Sequence, residues 1–104
     1  MRSIHYHAYG RPEDVLRVDD VAPPAAPGPD EVRVRVLVRP VHPGDLLGVA
    51  GRYRAPSDTA PVPAGGNRPG FEGMGIVDAV GMHAAGRLRP GMRVAFFPGR
   101  GAWG

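Results

Sequence analysis

The chain contains no cysteine, which excludes disulfides, a thiolate nucleophile and any cysteine-ligated zinc site, and is compatible with a cytoplasmic origin. It contains no lysine either: all 13 basic residues are arginine, so Schiff-base chemistry and a P-loop lysine are ruled out. No apolar run approaches the ~18 residues of a membrane span, and the opening MRSIHYHAYG lacks the apolar core of a signal peptide. Ser3 and Ser57 are the only serines. Asp58 stands beside Ser57, but nothing resembles a nucleophile elbow, so hydrolase chemistry has little support.

What the chain has in quantity is glycine, 16 residues, and proline, 13 residues, within a length of 104. That composition fits short strands joined by many turns better than a helical bundle, and the length suffices for one domain with one small core. The net charge of +3 does not mark a nucleic-acid binder. Its arginines are interleaved with Asp and Glu, and no aromatic-and-basic surface accompanies them.

Along the chain, Arg2–Tyr9 and Val15–Val21 read as short strands of a hairpin, separated by the turn-rich GRPED. The proline-rich VAPPAAPGPD, Val21 to Asp30, cannot feed a central sheet ladder and reads as an extended connector. In EVRVRVLVRP, Val32, Val34, Val36 and Val38 alternate with Arg33, Arg35, Leu37 and Arg39, which predicts a strand with one apolar and one mostly wet face. GDLLGVAG then predicts a short helix with Asp45 near its start, where a carboxylate caps free N–H groups. Arg54 to Gly70 has no apolar period and reads as a long loop. Gly75–Val80 and Met92–Phe97 give two more strands. Five or six short strands with one or two short helices and one long loop predict a mainly β, partly open barrel.

Few residues offer chemistry. His5 and His7 share a strand face in HYH, where two ligands of a metal site would stand, but no second cluster accompanies them, so they read as ordinary strand histidines. His83 falls in a turn. Glu72, in PGFEGMG, reads equally as a turn carboxylate or as a carboxylate held in a cleft, where burial raises a pKa. GRGAWG matches the spacing of a dinucleotide fingerprint at Gly99, Gly101 and Gly104, but no helix or acidic residue follows it, so it reads as a chance match.

Four segments, MRSIHYHAYGRPEDVLRVDD, PPAAPGPDEVRVRVLVRPVHPGD, PGFEGMGIVDAVG and LRPGMRVAFFPGRGAWG, resemble in order and spacing the N-terminal GroES-like domain of medium-chain dehydrogenases/reductases. The resemblance covers practically the whole chain, 1–104, and is greatest to the zinc-free branch of quinone oxidoreductases and 2-enoyl thioester reductases. In zinc-dependent relatives a Cys and the His of a Gly-His-Glu triplet hold the metal. Here those places hold His42 and Phe71, in Gly70-Phe71-Glu72, so the resemblance implies no metal.

The zinc-free branch carries Asn-Pro-x-Asp where this chain has His42-Pro43-Gly44-Asp45, and neutral His offers a donor and an acceptor in a different geometry from an amide. Tyr53 falls where enoyl thioester reductases place a tyrosine near the substrate carbonyl; it reads equally as a loop aromatic covering the barrel mouth. The resemblance implies hydride transfer from NADPH to a quinone, an α,β-unsaturated carbonyl or an enoyl thioester. Tyr53 and His42 are then the catalytic residues, with Asp45 and Glu72 on the substrate and cofactor side. It further implies that NADP is bound mainly by a Rossmann domain absent from these 104 residues. The isolated chain is therefore expected to be inactive, and to self-associate or take a partner through its open edge. The rival reading is a standalone GroES-like binding or assembly module using residues 54–70 as a partner loop, which leaves HPGD and GFEGMG without a purpose.

Overall fold

A computed structural model describes residues 1–52, 61–97 and 102–103. Strands β1 (Arg2–His5) and β2 (Arg17–Asp20) pair antiparallel, with Ser3 opposite Asp19 and His5 opposite Arg17. A second antiparallel sheet holds β3 (Val32–Val38), β4 (Gly73–Val80) and β5 (Arg93–Phe96) in that order. Two short helices complete it, α1 (Pro12–Val15) and α2 (Pro43–Val49). Among the described residues neither sheet closes on itself, as expected of a partly open barrel. No helix among them is long and apolar enough to cross a membrane.

The hairpin departs from the sequence reading in two places. β1 stops at His5 because Tyr6 turns to another segment: it exchanges both backbone hydrogen bonds with Asn67, at 2.9 Å each. The turn-rich GRPED contains a helical turn, α1, with Pro12 at its first position, where the missing N–H costs nothing, and Glu13 and Asp14 in its first turn, where negative charge suits the helix dipole. The 21–28 connector carries no strand, as its prolines require.

β3 follows its valine alternation, but Val32, Val34 and Val36 are only half-buried, and Val38 is 56% exposed. Gly75 of β4 passes so close to the Arg35 carbonyl that a Cβ there would overlap it. The register of β3 against β4 shifts twice, and Arg33 Nε donates to Asp78 Oδ2 across the pair at 2.7 Å.

Among the described residues the core is small: Tyr6, Val49, Val77, Ala102 and Trp103 are its buried apolar members. Ala102 and Trp103 knit separate parts together. Trp103 accepts from Ile4 N at 3.3 Å and donates from its backbone to Pro69 O at 3.2 Å, while its indole N–H points to Pro40 O at 3.4 Å.

Candidate functional site

The segment VHPGD forms the corner where β3 gives way to α2. Pro40 and Pro43 end the strand and open the helix, and Pro43 occupies the first helical turn, where its fixed φ is already correct. His42 is the N-cap: its Nδ1 accepts from Gly44 N at 2.9 Å. Asp45, three positions on, closes a capping box, its Oδ2 accepting from His42 N at 3.0 Å. Position in the sequence points to Asp45 alone as the cap; in the structure it shares that role with His42.

The cap has a chemical consequence for His42. An Nδ1 that accepts a hydrogen bond carries a lone pair, so the ring proton sits on Nε2 in the neutral side chain. His42 is exposed, and it therefore presents a single N–H donor outward from a ring held at its other nitrogen.

Asp45 is 2% exposed, and its second oxygen is also used: Oδ1 accepts from Phe71 N at 3.1 Å. One carboxylate thus joins HPGD to GFEG across 26 residues of sequence. It reaches neighbouring groups by fixing the backbone on both sides, not through a free oxygen. The Phe71 ring lies along α2 in van der Waals range of where a Cβ would sit on Gly44 (3.4 Å) and Gly48 (3.8 Å). Two glycines one helical turn apart thus face the ring. The Phe71 side chain offers no ligand atom, and both oxygens of Asp45 accept backbone hydrogen bonds.

Glu72, next to Phe71, is half-buried and lines a mostly apolar hollow of about 630 Å³ with Val38, Pro40, Met74, Phe96 and Phe97. Among the described residues it forms no hydrogen bond or ion pair, and His42 is not part of that lining. Tyr53 lies outside the described residues, as do Ser57, Gly99, Gly101 and Gly104. The structure therefore brings His42, Asp45 and the backbone before Glu72 into one unit. Phe71 is the member that residue-by-residue reading passes over, because its part depends on a contact 26 positions away.

His5 and His7 converge on a residue of β2. His7 Nε2 lies 2.8 Å from Asp19 Oδ2, and His5 Nδ1 lies 3.9 Å from the same oxygen. The hydrogen bond from His7 is the main cause that holds the Asp19 carboxyl below its usual range, with the nearby charges of His7, His5 and Arg17 adding to it against some desolvation. The hairpin register supplies the signal that finds Asp19: it stands opposite Ser3, on the face shared by Ser3 and His5.

Residues 28–102 match the alcohol dehydrogenase GroES-like domain family, and the chain belongs to it. It is 36% identical over 103 residues to the mitochondrial enoyl-[acyl-carrier-protein] reductase of Xenopus tropicalis, covering 98% of this chain and 27% of that protein. It is 41% identical over 98 residues to the quinone oxidoreductase of Pseudomonas aeruginosa, covering 94% of this chain and 27% of that protein. Among solved structures, the Escherichia coli quinone oxidoreductase complexed with NADPH superposes with a TM-score of 0.75 at 28% identity, over 98% of this chain and 28% of that one. The chain thus spans about a quarter of the length of these relatives.

Proposed function

We propose that this chain is the substrate-side domain of an NADPH-dependent reductase that delivers hydride to a quinone or to an α,β-unsaturated carbonyl or enoyl thioester, without a catalytic metal. The observation that carries the reading is the HPGD corner. A buried carboxylate fixes His42 and Phe71 together, the cap leaves His42 a single outward N–H, and an aromatic ring fills the place where zinc-dependent relatives have a ligand.

NADPH supplies the hydride when bound. The described residues offer nothing to its phosphates. α1 and α2 begin with proline, and the free N–H groups of α2 are already taken by His42 and Asp45, so neither offers an anion site. The phosphates then belong to a cofactor domain or partner chain beyond these residues. On this side, His42 Nε2–H stabilises negative charge developing on the substrate oxygen as the conjugated system accepts hydride, and Tyr53 is assigned the same oxygen as proton donor. The apolar hollow beside Glu72 suits the flat, uncharged body of a quinone or enoyl group. Val38 and Phe97, 56% and 73% exposed, form an apolar rim around that hollow, which a second domain, or a second copy, covers.

The test is a substitution in the native product that carries this domain. His42→Ala should lower turnover at least about tenfold while the KM for NADPH stays within about twofold, as expected when a charge-stabilising donor is removed. His42→Asn, which keeps both a cap acceptor and an N–H donor, should retain most activity. Unchanged turnover in His42→Ala would remove His42 from the reaction.

A further inference from the structure

We propose that His5, His7 and Asp19 form a binding site for a divalent transition-metal ion of the zinc type, placed on the β1–β2 hairpin and sharing no residue with the HPGD corner. One ligand atom from each lies within 4.8 Å of the other two. Two imidazoles and one carboxylate are the donor set that zinc, cobalt and nickel favour, and three protein ligands leave a position for solvent.

Strand geometry supplies two of the ligands: Ser3 and His5 of β1 share a face, and the antiparallel register sets Asp19 opposite Ser3 on that same face. His7 lies beyond the strand, with its ring centroid 6.3 Å from that of His5. Around a tetrahedral ion with bonds of about 2.0–2.1 Å, neighbouring ligand atoms stand about 3.3 Å apart. The two distances to Asp19 Oδ2 are 2.8 Å from His7 Nε2 and 3.9 Å from His5 Nδ1, so each needs to change by about half an ångström, and the two histidine nitrogens, within 4.8 Å of each other, would close by up to about 1.5 Å. The ion would replace the His7–Asp19 hydrogen bond with two bonds to itself.

Two further observations bear on the site. His5 is 9% exposed, and its Nδ1 faces Asp19 Oδ2 at 3.9 Å, beyond hydrogen-bond reach, so coordination there would give that nitrogen a partner. Its Nε2, buried without a hydrogen-bond partner, lies on the far edge of the ring and stays so when Nδ1 binds. Ser3 Oγ, on the same face, is likewise buried without a partner. His7 is also held in place: a Cβ on Gly66, whose φ is +76°, would sit 2.8 Å from its Cε1 and 3.0 Å from its Nδ1. Only glycine leaves room for the ring there, and the flanking Tyr6–Asn67 bridge fixes the backbone. The side chains of His7 and Asp19 are 44% and 31% exposed, which gives an ion its entry path. Arg17 opposes cation binding, since its charge is felt at Asp19.

The test is titration of the tag-free, metal-free 104-residue chain with Zn²⁺ by calorimetry, repeated with Co²⁺ by visible absorption. One ion per chain is expected, with a rise in thermal midpoint. His7→Asn and Asp19→Asn should each weaken the affinity at least about tenfold, as loss of a ligand does at minimum. Gly66→Ala, which displaces the His7 ring without removing a ligand, should weaken it in the same direction. His83→Asn should leave it unchanged, although it breaks the other close histidine–carboxylate pair, His83 Nδ1 to Asp30 Oδ1 at 3.0 Å. His7 and Asp19 are partly exposed, so their variants should fold, with circular dichroism as the check. The absence of saturable binding, or equal affinity in wild type, His7→Asn and Asp19→Asn, would overturn the proposal.

Discussion

Asp45 carries more of the site than its size suggests. Each of its oxygens accepts from a backbone N–H of a different segment, and at 2% exposure water cannot take its place. Asp45→Ala should therefore cost about 2–4 kcal/mol of stability, the sum expected for a lost cap and a second buried donor left without a partner. Asp45→Asn, keeping one acceptor, should cost less. Urea denaturation measures both. The helix-start role of Asp45 was legible from its position after Pro43, because capping is a local pattern. Its bond to Phe71 was not, because nothing in GDLL reveals which backbone N–H will be folded against it. The same limit applies to His42. The sequence marks it as replacing an amide, but the outward N–H follows only from seeing Nδ1 engaged by Gly44.

At the scale of elements, the turn at Gly70 rests on backbone room. Gly70 has φ +108°, and a Cβ there would meet Ala102 Cβ and N at 2.8 Å and Trp103 Cδ1 at 2.9 Å. Gly70→Ala should cost about 2–3 kcal/mol, from the strained conformation and the displaced Trp103 segment together, and should redden the tryptophan emission. The β1–β2 hairpin has an acid-side weakness. The folded pKa of Asp19 lies below its unfolded value, through the His7 hydrogen bond. The stability it contributes is complete above the ordinary Asp value of about 3.9 and is lost as pH falls through the lower folded value. Thermal midpoints measured from pH 6 down to pH 2 should fall less steeply for Asp19→Asn than for wild type in that acid window. The alternation in β3 and the prolines of the connector were readable because period and breakers are properties of a few neighbouring residues. α1 is hidden in the sequence because Pro, Glu and Asp favour turns and helix starts alike. The end of β1 was unreadable, since it depends on Tyr6 pairing with Asn67.

For the whole molecule, the core among the described residues is small and the apolar rim at Val38 and Phe97 stays open. That suits a domain that spans about a quarter of its relatives' length. The order of its four segments made the family legible; the substrate was not, because the acceptor would be enclosed by surfaces beyond these residues. The most direct test of the central claim is steady-state NADPH oxidation by the native product that carries this domain, with an enoyl thioester and a quinone as acceptors and residues 1–104 alone as the control. The expected result is acceptor-dependent NADPH consumption by the native product and none by the isolated chain. No consumption with either acceptor, or equal turnover by the isolated chain, would contradict the account.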